Sequence, residues 1–207
     1  MSPLVQLLSV NVGVLEPAAP GSSKRTGIFK HPVGGAVLCD QMGLVGDRIG
    51  NTTHHGGADQ AVYLYSAEDY AWWSEALGRS CAPGLFGENC TIDRWWPNYK
   101  VGDRVTFGDV TLELSAPRIP CATLAGRMGD PHFVKRFAQA NRGGAYARVL
   151  ATGALASGTV GTVQIASASW PTISTLFALW YQRPLDAAAR QTLQGAPLAE
   201  RARAAFA

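Results

Sequence analysis

Seven short runs of strand-forming residues, at 6–14, 36–39, 61–65, 104–107, 110–116, 146–151 and 162–166, are separated by turns rich in Gly, Asp and Pro. In the fifth run Val110, Leu112 and Leu114 recur at period two and share one face, and Gly108-Asp109 supplies the tight reversal from the run before it. The segment from Glu16 to Lys24 reads as a Pro/Gly/Ser loop. Only two helices are predicted among these strands. One spans 67–77, capped by Ser66; the other spans 131–140, with Asp130 as cap and Pro131 at the first helical position. Many short strands with few helices predict a mostly β fold, a closed or nearly closed barrel that leaves no sheet edge exposed.

The pattern changes near residue 167. Ile173, Leu176, Phe177 and Trp180 fall at i, i+3, i+4 and i+7, and Pro184 and Pro197 punctuate two further helical stretches. The division expected is therefore a barrel domain over 1–167 and a small three-helix appendage over 168–207. Such an appendage is too small for a large core of its own, so it docks on the barrel or on a second copy, as in a homodimer. None of the motifs described below lies in it, so its removal is expected to leave ligand binding measurable.

With 47% hydrophobic and 16% charged residues, the chain reads as a packed globular protein. A net charge of +3 with no run of five like charges argues against a nucleic-acid surface but suits a small anionic ligand. No stretch approaches the ~18 apolar residues of a membrane helix. The apolar start from Leu4 to Leu15 lacks the positive flank of a signal peptide, since the first basic residue is Lys24, so a cytoplasmic location is expected. The four cysteines, Cys39, Cys81, Cys90 and Cys121, form no Cys-x-x-Cys pair, and reduced thiols are expected.

Three segments could carry chemistry. Gly43-Leu-Val-Gly-Asp-Arg48 is followed by His54-His-Gly-Gly-Ala-Asp59, where Gly56 and Gly57 would let backbone N–H groups approach a phosphate-like oxygen beside His54 and His55. A Gly-rich turn with surface histidines explains that segment equally well. Zinc is disfavoured, because neighbouring residues rarely ligate one metal and His31 and His132 are far off in sequence. In Phe86-Gly-Glu-Asn89, Asn89 can fix a loop or pair with the amide edge of a heterocycle, and Glu88 reads as loop architecture. In Ser115-Ala-Pro-Arg-Ile-Pro-Cys121 two prolines stiffen the loop, and Arg118 could favour the thiolate of Cys121, the form that ligates soft metals or attacks electrophiles. A buried structural cysteine is the competing reading.

Thr26-Gly-Ile-Phe-Lys-His-Pro-Val33, Gly-Leu-Val-Gly-Asp47, His55-Gly-Gly-Ala-Asp-Gln-Ala-Val62, Phe-Gly-Glu-Asn89, Val-Gly-Asp103, Pro-Arg-Ile-Pro-Cys121 and Gly144-Ala-Tyr-Ala-Arg-Val149 stand in the order seen in MOSC proteins, named for the molybdenum cofactor sulfurase C-terminal domain. The chain resembles that family over roughly residues 5 to 166, and its tail resembles the three-helix element of the free-standing bacterial branch. The resemblance implies a MOSC-type β-barrel, a molybdenum–pterin cofactor (molybdopterin with molybdenum), and Cys121 as both metal ligand and catalytic residue. It implies that Lys30 and Arg118 hold the cofactor's phosphate, and that Asp47, His55, Gly56 and Asn89 lie in the loops around the pterin. Arg148 matches a position on the strand after the site, with pairing to a structural carboxylate as its alternative. Two departures stand out: Cys90 replaces a usual leucine and would add a second thiol near the site, and a late Gly-Asp turn is replaced around Ser157-Gly-Thr.

The resemblance implies a molybdenum cofactor-dependent reductase acting on a small molecule, such as an N-hydroxylated nucleobase. Electrons would come from a separate donor protein, since neither a Gly-x-Gly-x-x-Gly motif nor a ferredoxin-like cysteine cluster is present in the chain. The alternatives are a non-catalytic cofactor or sulfur carrier using Cys121, and a ligand-binding barrel without metal.

Overall fold

The computed structural model describes residues 2–53, 55–182 and 184–206. Seven strands close into a barrel: β1 (Leu4–Val12), β2 (Val62–Ser66), β3 (Cys90–Ile92), β4 (Arg104–Phe107), β5 (Val110–Pro117), β6 (Ala145–Ala151) and β7 (Val160–Gln164). Around the ring the order is β1, β7, β4, β5, β6, β2, β3 and back to β1. Every pairing is antiparallel except β2 with β3, where α1 (Ala67–Leu77) lies in the connection. The expected closed barrel is thus observed. Its interior is filled by alternate residues such as Leu7, Leu64, Val105, Leu112 and Ala147. Each fully buried aliphatic side chain there contributes on the order of 2 kcal/mol.

Local chemistry explains where elements begin and end. Ser66 Oγ accepts the Asp69 N–H at 3.0 Å, and Gly78, at φ 62°, closes α1, so its bounds are those read from the sequence. The first strand lies two residues earlier than expected, because Gly13 leaves the ladder and its N–H donates to Asp47 Oδ1 at 2.8 Å. Glu16–Pro17 pairs with Arg25–Thr26 inside the region read as loop. The elements not anticipated from the sequence include β3 and helix α2 (Ala122–Met128), which starts directly after Cys121. Helix α3 (Phe133–Ala140) starts later than 131, because Asp130 Oδ1 accepts the His132 N–H in the preceding turn and does not cap the helix.

The outer face of β2 carries a second core. Tyr63 and Tyr65 point away from the barrel into a cluster with Tyr70 and Trp73 of α1, Phe86, and Phe133 and Phe137 of α3. Trp73 stacks on Phe137 with centroids 5.7 Å apart. The tail forms α4 (Ile173–Tyr181), α5 (Ala187–Leu193) and α6 (Glu200–Phe206). It docks on the barrel: Ile173, Leu176 and Phe206 join the barrel core cluster, and Phe177 joins the aromatic one. Among the described residues no helix is long and apolar enough to cross a membrane.

Candidate functional site

A cavity of about 310 Å³ lies against the outside of the barrel, beside the end of β5. Pro117 is the last residue of β5 to pair with β6; Arg118, Ile119 and Pro120 then carry the chain to Cys121, the N-cap residue of α2. Gly143 makes room for this turn, since a Cβ there would stand 2.9 Å from the Arg118 carbonyl oxygen and 2.8 Å from the Phe177 ring. Cys121, Arg118, His55, Gly56, Asn89, Lys30 and Asp47 all line the cavity. Seven positions scattered over the sequence are thereby brought to one place.

Cys121 is half-buried and free. Burial alone would push its thiol up, but a hydrogen bond from His55, the Arg118 charge and a hydrogen bond from the Leu124 backbone bring it down to about 6. The thiolate is therefore the major form at neutral pH. Alkylation of Cys121 in the metal-free protein should rise with pH through a midpoint near 6, and His55→Ala should move that midpoint upward. A midpoint near the ordinary thiol value in the parent protein would refute the assignment.

Arg118 is fully enclosed. Its guanidinium carbon lies 5.8 Å from the Tyr63 ring centroid and 5.6 Å from that of Phe137, and Nη1 is buried without a hydrogen-bond partner. Its charge also acts on the Tyr146 phenol. A buried cation with an idle donor is costly unless a ligand completes it.

The structure gives several of these residues partners within the protein. The Lys30 ammonium donates to both oxygens of Asp47, so these two residues meet each other in the cavity wall and neither is left to hold a phosphate alone. Asn89 joins them: Nδ2 donates to Asp47 Oδ2 at 2.9 Å, while Oδ1 accepts the Tyr63 N–H at 3.1 Å. Its amide fixes the loop. Glu88 is wholly buried, with Oε1 accepting from Tyr70 Oη at 2.7 Å and the Gly84 N–H at 2.6 Å, as loop architecture requires. Cys90 faces the barrel core, where burial pushes its thiol up, so it adds no second thiol to the cavity.

Gly56 and Gly57, at φ 76° and 84°, form a left-handed turn in the wall. The positive φ is why position 56 needs glycine, since the Ile49 Cδ1 tip that a Cβ would meet at 2.4 Å can move aside. His54 lies outside the described residues. Among the described residues no three His, Cys, Asp or Glu side chains gather as a metal-binding group.

Arg148 is not among the residues lining the cavity; it pairs with carboxylates, the alternative read for it from the sequence. On β6 the alternation puts Ala145, Ala147 and Val149 inside the barrel and Tyr146 and Arg148 outside. Tyr146 reaches the cavity; Arg148, about 7 Å further along the strand, does not. Its guanidinium donates to Asp59 Oδ1 at 2.9 Å, Glu113 Oε1 at 2.8 Å and the Pro197 carbonyl at 2.9 Å. Arg148→Met should lower the unfolding free energy by ~2 kcal/mol in a denaturant titration, below the full cost of breaking a buried pair, because Arg104 still pairs with Glu113. An unchanged transition midpoint would show that this network contributes nothing.

The lining residues that sequence reasoning missed include Tyr63, Phe86, Tyr146 and Arg201. The first three sit inside or beside the quoted motifs. Arg201, on α6, carried no signal at all.

Residues 51–161 match the MOSC domain family. The chain is 34% identical over 154 residues to the uncharacterized protein YflK of Bacillus subtilis, covering 73% of this chain and 70% of that protein. It is 33% identical over 180 residues to a protein named Reductase from Gibberella moniliformis, covering 82% of this chain but only 31% of that longer protein. Among solved structures, YiiM from Geobacillus stearothermophilus superposes with a TM-score of 0.81 at 27% identity, covering 98% of this chain and 97% of that one. YiiM from Escherichia coli shares the fold, with a TM-score of 0.72 at 21% identity, covering 97% of this chain and 88% of that one.

Proposed function

Because this chain belongs to the MOSC domain family, we propose that it is an oxidoreductase that holds a molybdenum–pterin cofactor in the cavity beside Cys121 and reduces N-hydroxylated compounds such as N-hydroxylated nucleobases. The observation that carries this reading is the meeting, in one cavity, of a thiol brought down to about 6 with a buried guanidinium that has an idle donor. Those two groups fit the cofactor. The Cys121 thiolate is a soft ligand for the metal, and Arg118 Nη1 offers a hydrogen bond to an anionic oxygen.

When bound, the cofactor supplies the two-electron chemistry that cleaves an N–O bond. The balance is R–NHOH with two electrons and two protons giving R–NH2 and water, the electrons coming from a separate donor protein. The protein's own groups orient and donate. Burial pushes the Tyr146 phenol up, so its Oη stays protonated and can donate to a substrate oxygen. His55 hydrogen-bonds the Cys121 sulfur and fixes its direction.

The test is anaerobic turnover. Metal-loaded protein with a reduced viologen dye should convert N-hydroxyadenine to adenine with two dye electrons consumed per product. Molybdenum-loaded protein that leaves the hydroxylated base unchanged would contradict the reductase and favour the carrier reading.

A further inference from the structure

The lining of the cavity crosses from the barrel to the tail. Arg201 gathers with His55, Gln60, Tyr146 and Trp180 around a small recess, although it comes from the last helix, and the Tyr146 phenol feels both the Arg201 and the Cys121 charges. Its place is fixed by the start of α6. Ala199 donates its N–H to the Ser115 carbonyl at 2.9 Å, Glu200 donates its N–H to Asp59 Oδ2 at 2.8 Å, and Arg148 holds the Pro197 carbonyl. Ala202, the next residue, is buried against the barrel. The Arg201 guanidinium carbon lies 6.0 Å from the Trp180 ring centroid, and its charge acts on the Tyr146 phenol.

The electrostatics of the wall say what such a residue is for. Lys24, Arg25, Lys30, Arg48, Arg118 and Arg201 all line the cavity, whereas its one carboxylate, Asp47, is taken by Lys30. The Lys24 to Arg48 group comes from the 24–51 segments, Arg118 from the loop before Cys121, and Arg201 from α6. A concave site of one sign attracts anions.

We propose that the tail completes the active site, Arg201 donating hydrogen bonds to an anionic or carbonyl oxygen of the substrate at the thiol end of the cavity. This gives Asp59 and Arg148 a role as positioning residues for α6, and it explains why the latter stands two residues from Tyr146 without touching the cavity. The proposal rests on the reading that the substrate reacts beside Cys121.

The test separates the two claims, because its first arm needs neither metal nor turnover. In cofactor-free protein carrying Cys81→Ser, with Cys39 and Cys90 buried, Cys121 is alkylated with iodoacetate, whose carboxylate mimics the substrate oxygen, and with neutral iodoacetamide. Arg201→Ala should slow iodoacetate by about fivefold and leave iodoacetamide unchanged, Arg201→Lys should restore most of the rate, and the difference should shrink in high salt. An unchanged iodoacetate rate, or an equal slowing of both reagents, would overturn the proposal. In the second arm, metal-loaded Arg201→Ala should keep its molybdenum and show a KM for N-hydroxyadenine raised about tenfold, the scale of one lost charge-assisted hydrogen bond. Loss of molybdenum instead would assign Arg201 to the cofactor and overturn the substrate role.

Discussion

Cys121→Ala should abolish turnover, by at least about a thousandfold, while leaving the fold intact. The side chain is half-buried and loses only a sulfur atom's volume, so the cost in stability should stay below ~1 kcal/mol. What it removes is the soft ligand, for which the neighbouring wall has no substitute, since Cys39, Cys81 and Cys90 are not among the residues lining the cavity. Cys121→Ser should behave alike, because an alcohol near neutral pH is not the anion that a thiol at about 6 becomes. Near-normal turnover by the folded alanine variant would show that the metal assignment is wrong.

Arg118 carries the second large effect, and its sign in the cofactor-free protein is informative. No carboxylate pairs with it; its surroundings are the rings of Tyr63 and Phe137 and the Tyr146 side chain, and Nη1 has no partner. Removing one member of a buried ion pair costs ~3–5 kcal/mol, but replacing an uncompensated buried charge by an apolar group of similar length does not. Arg118→Met should therefore leave the apo melting temperature unchanged or raised, while cofactor retention falls by at least about a hundredfold, as expected when a charge-assisted partner is lost. Arg118→Lys should retain the cofactor better than Met and worse than Arg, since a point charge cannot supply the planar fork of donors. A large fall in apo stability with unchanged cofactor content would make Arg118 a structural residue.

The sequence made some of this legible and hid the rest for identifiable reasons. Helix α1 was readable because Ser66 and Gly78 mark both ends, and the hairpin of β4 with β5 because Gly108-Asp109 sits between two alternating runs. Strand β3 was not, since three residues carry no periodicity and its partners, β1 and β2, are distant in sequence. The clustering around Cys121 followed from ordered motifs. The roles inside it did not, because a motif names positions and leaves open which neighbour each side chain will meet. Lys30 and Asp47, seventeen positions apart, are both motif residues, yet each is the other's partner. Arg148 shares an outward face with Tyr146, and period-two reasoning places them together, but one step along the strand separates a cavity from an ion-pair network. Arg201 lies in an Ala-rich helix whose local pattern marks only amphipathic packing. Its place depends on Asp59 and Ser115, contacts more than eighty residues away.

The most direct measurement is the molybdenum and pterin content of the purified protein, made in cells that synthesise the cofactor. The expected result is close to one molybdenum and one pterin per chain in the parent protein, and neither in folded Cys121→Ala. Folded parent protein carrying neither, or the same molybdenum content in the parent and in Cys121→Ala, would contradict the assignment of this cavity to a thiolate-held molybdenum cofactor.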